Sequence, residues 1–133
     1  MIDVDLLTAQ LARNPAASTE KIREFATRSK ASLPEGYIEF MQRFDGAEGP
    51  IGRKGRYIVL WPVASIIHLN EQYHFDEFAP HLLAFGSDGG GEAFAFDRRT
   101  EPATIVRVPF IGMDEEVHYG TRFDEFLSRL SEE

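Results

Sequence analysis

No cysteine occurs in the 133 residues, and that absence excludes disulfides, cysteine-ligated zinc and thiol nucleophiles together. It fits a reducing compartment. No apolar run approaches the roughly 18 residues needed to span a bilayer. The opening Met1-Ile2-Asp3-Val4-Asp5 is acidic where a secretory leader is basic, so we expect a cytoplasmic protein. Positive charge is scarce after residue 56: five Lys/Arg stand against fourteen Asp/Glu, whereas residues 1–56 carry nine against eight. The formal net charge of −8 is therefore concentrated in the second part. Such a field repels nucleic acid and anionic lipid and favours basic partners, although acidity also serves solubility.

What is plentiful is phenylalanine. Eleven Phe and a 43% hydrophobic content suffice for one sizeable core but not two. We expect one domain over residues 1–133, with residues 1–15 as a helical extension. Val4, Leu7 and Leu11 predict an amphipathic helix over 3–13, stopped by Asn14-Pro15. A second helix follows Ser18-Thr19, with Ile22, Phe25 and Ala26 inward. Ser32-Leu33-Pro34-Glu35 has capping-box spacing, predicting a third helix from there that carries Tyr37, Phe40, Met41 and Phe44 on one stripe and ends at Asp45-Gly46. Four glycines and a proline between Gly46 and Arg56 predict an exposed loop. Tyr57 to Trp61 reads as a strand, and a helix runs from Pro62 to about Tyr73.

Leu82 to Phe85 and Glu92 to Phe96 read as strands around a tight glycine turn, the second alternating Phe94/Phe96 with Ala93/Ala95, as expected of a sheet covered more deeply on one side. Thr104 to Val108 and a short Val117 to Tyr119 segment add strands. Thr121 is placed to cap a last helix whose stripe is Phe123, Phe126, Leu127 and Leu130. Helices, sequential strands with short turns, then a helix make an α+β fold with an antiparallel meander.

The run Gly86-Ser87-Asp88-Gly89-Gly90-Gly91-Glu92 superficially suggests a phosphate loop, but two carboxylates beside it would repel the anion such a loop must attract. It is not G-x-S-x-G, and Ser87 lies between strands where a nucleophile elbow needs a strand followed by a helix. Asp88 and Glu92 read as turn residues more readily than as a glycosidase pair. His68, His74, His81 and His118 show no metal-ligand spacing. No catalytic residue, metal or cofactor is indicated. The one compact basic cluster, Arg53, Lys54 and Arg56, gives nucleic-acid binding little support, and neither nucleic acid nor membrane is an expected partner.

What remains is charge. Asp114-Glu115-Glu116 is tolerable only in solvent or against a basic ligand. With Asp76, Glu77, Asp88 and Glu92, and with Tyr119 close by, it forms an expected surface for a cationic partner; the alternative is an ordinary solvated face. Tyr73, Tyr119 and Trp61 are aromatic anchors for that partner if exposed.

Leu33-Pro34-Glu35-Gly36-Tyr37-Ile38-Glu39-Phe40, then Asp45-Gly46, Trp61-Pro62-Val63, Phe85-Gly86-Ser87-Asp88-Gly89-Gly90-Gly91-Glu92 and the Phe123 to Leu130 helix together resemble the SUKH superfamily, also called the Smi/Knr family, from about residue 18 onward. The first 15 residues match none of its motifs. Glu92 stands where the family usually has Asp, keeping the charge but changing the reach. The resemblance implies an antiparallel sheet packed by helices and a protein-binding, non-catalytic function. Bacterial members are commonly immunity proteins that neutralise toxin domains, frequently nucleases, and fungal members act as cell-wall and signalling scaffolds. The leading expectation is thus an immunity protein that occludes a basic toxin domain. An intracellular regulatory scaffold is the alternative, and a small hydrolase a third reading that requires a polar pocket with convergent titratable groups.

Overall fold

The computed structural model describes residues 2–133. Seven strands, β1 (Ala12–Arg13), β2 (Ala47–Ile51), β3 (Arg56–Leu60), β4 (Leu82–Ser87), β5 (Glu92–Asp97), β6 (Thr104–Pro109) and β7 (Val117–His118), form one sheet in sequence order. Every neighbouring pair is antiparallel, so the fold is an α+β meander. Helix α1 (Val4–Leu7) precedes β1, α2 (Thr19–Ser29) and α3 (Tyr37–Arg43) connect β1 to β2, and α4 (Val63–Gln72) and α5 (Phe75–Phe78) connect β3 to β4. Helix α6 (Phe123–Glu132) follows β7.

The phenylalanines close one face of this sheet. Phe85 and Phe96 stack with centroids 4.2 Å apart, Phe96 meets Tyr37 of α3 edge-on at 4.9 Å, and Phe94 meets Phe126 of α6 at 5.0 Å. Edge-to-face pairs of this kind add to the stabilisation from area burial alone. The alanines of the opposite face, Ala84, Ala93 and Ala95, are equally inaccessible. The uneven covering that the alternation predicts is therefore not what forms: α4 and α5 lie against β4, and Phe75 of α5 meets Phe110, the residue after β6.

Gly86 has a specific reason to lack a side chain. A Cβ there would run into the Val59 carbonyl, because β3 pairs with β4 at this point, Leu60 opposite Gly86; on its other side β4 shifts register against β5 between Ala84 and Gly86. Beyond that contact β3 diverges, and Asn70 of α4 takes its place beside β4. The Asn70 amide accepts from the Ala84 N–H and donates to the Ala84 carbonyl, both at 2.8 Å, as a paired strand would. Asp45 acts at similar range, its Oδ1 accepting from the Val63 N–H at 2.8 Å and so capping α4, whose N-terminal Pro62 offers no side-chain cap.

Five expectations are corrected. The helix over 3–13 stops at Leu7, because Ala12 and Arg13 pair with Glu48 and Ala47 and satisfy the edge of β2. The third helix begins at Tyr37, not near Pro34: the Glu35 carbonyl accepts from Phe123 N–H, and Glu35 bridges to Arg122. The glycine-rich segment after Gly46 is mostly strand, with Ala47, Gly49 and Ile51 inward. Thr121 does not cap α6; Arg122 occupies that position with no side-chain cap. In α2 the buried stripe is Ile22, Phe25 and Ser29, with Ala26 outside.

At the centre of the aromatic cluster the Tyr37 hydroxyl is buried without a hydrogen-bond partner. Burial, with the Asp45 charge adding, pushes its ionisation far above the ordinary tyrosine range, so it stays neutral and unsatisfied. Tyr37→Phe removes that polar atom while keeping the ring. Urea unfolding should show stability unchanged or raised by about 1 kcal/mol; a clear loss would reveal a partner for the hydroxyl.

Candidate functional site

Two segments pack together to make one exposed face: the α4–α5 corner and residues 110–118. Tyr73 and Phe75 both contact Phe110, with centroids 4.5 and 6.1 Å apart, and at the other end His81 Nε2 lies 3.3 Å from Glu116 Oε2. On these segments Phe78 is 70% exposed and Ile111 92%, and Tyr73 and Val117 are also exposed. Asp76, Glu77, Asp114 and Glu115 are exposed on the same two segments. No Lys or Arg occurs between Arg56 and Arg98, or between Arg107 and Arg122. Asp76, Asp114 and Glu115 form no ion pair among the described residues, and Glu77 meets only His74, at 3.4 Å.

The other residues of the expected acidic surface are placed elsewhere or already engaged. Asp88 Oδ1 accepts from the Gly90 N–H at 2.8 Å and the Glu92 N–H at 3.2 Å, so this carboxylate holds the turn of Gly86, Asp88, Gly89, Gly90, Gly91 and Glu92 in shape. Glu92 Oε2 lies 2.7 Å from Arg107 Nε. The contact is an ion pair without an aligned hydrogen bond, since that nitrogen has no hydrogen-bond partner.

Tyr119 is corrected outright: it is 2% exposed, and its ring packs on Phe126 at 5.2 Å. Its hydroxyl donates to Glu133 Oε2 at 2.6 Å and accepts from Arg107. Burial, then the bond to Glu133, push its ionisation well above the ordinary range. Burial opposes ionisation of Glu133, but the bonds from Tyr119 and Arg107 outweigh it and hold that carboxyl below its usual value. Arg56 adds a contact at 3.4 Å. This network seals the end of α6 against β6 and β7; the sequence hides it because its members lie far apart in the chain.

Linear spacing also conceals a second cluster. One ligand-type atom each from His81, Asp97 and Glu116 lie within 4.8 Å of one another. Arg99 occupies the Asp97 carboxylate, its Nε and Nη2 donating to Oδ1 and Oδ2 at 3.0 and 2.7 Å, and it comes within 3.7 Å of Glu116. A guanidinium bound through both oxygens makes this a structural ion-pair cluster.

The bond from Arg99 holds the Asp97 carboxyl below its usual 3.8. The unfolded chain therefore takes up that proton first, so the contribution is present above the unfolded value and is lost as pH falls below about 4. Asp97→Asn should flatten the acid limb of stability, seen as a smaller change in urea midpoint between about pH 3 and 7.

Trp61 is buried under Tyr73 in a parallel stack at 6.2 Å. Of the three aromatic anchors considered, Tyr73 alone presents its ring. Phe78 and Ile111 escaped the sequence reading, although Phe78 stands next to Asp76-Glu77 and Ile111 just ahead of Gly112.

Residues 16–129 match the model of the SMI1 / KNR4 family (SUKH-1). The chain belongs to that family. No curated protein matches it. The exposed face lies wholly inside the region shared with the SMI1/KNR4 family, whereas α1 and β1 precede it. Membership agrees with the α+β meander and with a protein-binding role, and among the described residues no helix is long and apolar enough to cross a membrane.

Proposed function

We propose that this SMI1/KNR4-family chain is a non-catalytic binding protein of the immunity type. Its face formed by α5 and residues 110–118 covers a basic toxin domain, such as a nuclease, and blocks access to it. The observation that carries this reading is the coincidence, on two packed segments that themselves contain no Lys or Arg, of exposed apolar side chains with exposed carboxylates that have no Lys or Arg partner among the described residues. Exposed apolar groups supply affinity once water is excluded. Unpaired carboxylates steer a cationic surface into register and raise the association rate. Occlusion requires no bond to be made or broken.

The test is binding and neutralisation of the cognate toxin domain by a quadruple variant, Asp76→Lys, Glu77→Lys, Asp114→Lys and Glu115→Lys, and separately by Phe78→Ala. All five positions are exposed, so folding should survive, as a thermal melt would verify. Charge reversal should slow association and weaken binding by about 100-fold or more, with most of the salt dependence lost. Phe78→Ala should weaken binding about tenfold, close to 1.4 kcal/mol, mainly through faster dissociation. Wild-type affinity in both variants would exclude this face. A partner that shows the same surface dependence, but whose binding rescues no cell from a toxin, would favour a regulatory scaffold of the Smi/Knr type.

A further inference from the structure

On a different part of the molecule, an apolar groove of about 710 Å³ runs between the N-terminal segment, the tip of the β2–β3 hairpin and the end of α6. Leu6, Leu7, Ala9 and Pro50 give it an apolar lining, and Leu6 is 74% exposed. The volume falls within the range of sites that bind ligands specifically. The groove is built, not incidental: a Cβ at Gly52 would collide with the Ser131 backbone, so the glycine lets the hairpin tip close onto α6, while α1 packs on the same helix.

Charge defines the occupant. Arg53 and Lys54 rise exposed at the rim, and among the described residues neither forms an ion pair, in a chain whose net charge is −8. The lining has one carboxylate, Glu132. Leaving two adjacent cations uncompensated beside an apolar trough fits a partner that brings apolar side chains and negative charge together. Six of the ten lining residues fall outside residues 16–129. Most of the groove's lining therefore lies outside the segment matched to the family.

We infer that this groove docks a peptide segment of a second protein partner, one that places apolar side chains over Leu6 and Pro50 and an Asp or Glu against Arg53 and Lys54. This goes beyond the reading of the acidic face and is independent of it: the two surfaces have opposite charge preference, and one molecule can engage both.

A phage-displayed random peptide library selected on the full chain supplies the probe, and an enriched peptide is then synthesised and titrated. Enriched sequences should combine apolar residues with Asp or Glu. Affinity should fall about tenfold in Leu6→Ser and at least as far in Arg53→Glu with Lys54→Glu. It should stay unchanged in the quadruple lysine variant of the acidic face. Leu6, Arg53 and Lys54 are exposed, so melting temperatures should be retained. Failure to enrich acidic apolar sequences, or binding that survives both groove variants, would overturn the inference. So would saturable binding of oleate that depends on Leu6 and Arg53 when no peptide binds, because it would assign the groove to a fatty acyl carboxylate.

Discussion

Phe96→Ala should cost about 3–5 kcal/mol of unfolding free energy, the range for emptying a buried aromatic site. Phe96 has no accessible surface, stacks on Phe85 at 4.2 Å and meets Tyr37 edge-on at 4.9 Å. The ring links β5 to β4 and to α3 at once, and the surrounding rings are themselves locked by Phe123 and Phe126, so the cavity cannot collapse cheaply. Against a typical total of about 5–15 kcal/mol, such a loss leaves a marginal protein. Urea unfolding of the purified variant measures it; a cost below about 1 kcal/mol would mean that the cluster repacks far more freely than close packing allows.

Asn70→Asp should do comparable damage through a different mechanism. The buried amide donates to the Ile66 and Ala84 carbonyls and accepts from the Ala84 N–H, each at 2.8 Å. A carboxylate can still accept, but it would face two carbonyl oxygens with no proton to offer, and a buried unpaired charge is severely penalised. We expect a loss on the order of 3 kcal/mol or more at neutral pH. Burial should raise the new carboxyl group's ionisation above its unfolded value, so the folded state holds the proton more tightly. Stability of the variant should thus fall as pH rises above about 4 and be partly restored in acid. That trend is opposite to the effect expected of Asp97, whose folded value is depressed. Urea midpoints taken across that range would show it, and a pH-independent loss would place the damage in packing.

Most of the core was legible because its signal is periodic. Tyr37, Phe40 and Met41, and Phe123, Phe126, Leu127 and Leu130, recur at helical spacing and are buried in α3 and α6. The strands around the glycine turn were legible from alternation and composition. Strand β2 was not, since Gly49 and Pro50 carry loop propensity while their neighbours decide the pairing. The short α1 failed for a related reason: its apolar spacing is helical, but Ala12 and Arg13 gain more by pairing with β2 than by prolonging an exposed helix.

The candidate face was half legible. Carboxylates are visible in a sequence, but their partners are not. Glu92, Glu116 and Tyr119 looked like surface groups until Arg107, His81, Arg99 and Glu133 were found against them. Asp76, Glu77, Asp114 and Glu115 stayed exposed because no cation folds back onto them. Phe78 and Ile111 read as ordinary hydrophobic residues, and only packing reveals an apolar side chain left outside.

By itself the sequence determined the family, the order of helices and strands apart from β1, β2 and α5, the stripes that enter the core and the concentration of negative charge in residues 57–133. These follow from local spacing and composition, which act within a few residues. Tertiary structure alone decided which carboxylates are spent inside the protein, which apolar groups remain outside, and that α1, the β2–β3 hairpin and α6 enclose a groove. Pairing and exposure depend on contacts between residues distant along the chain, and no local pattern records them.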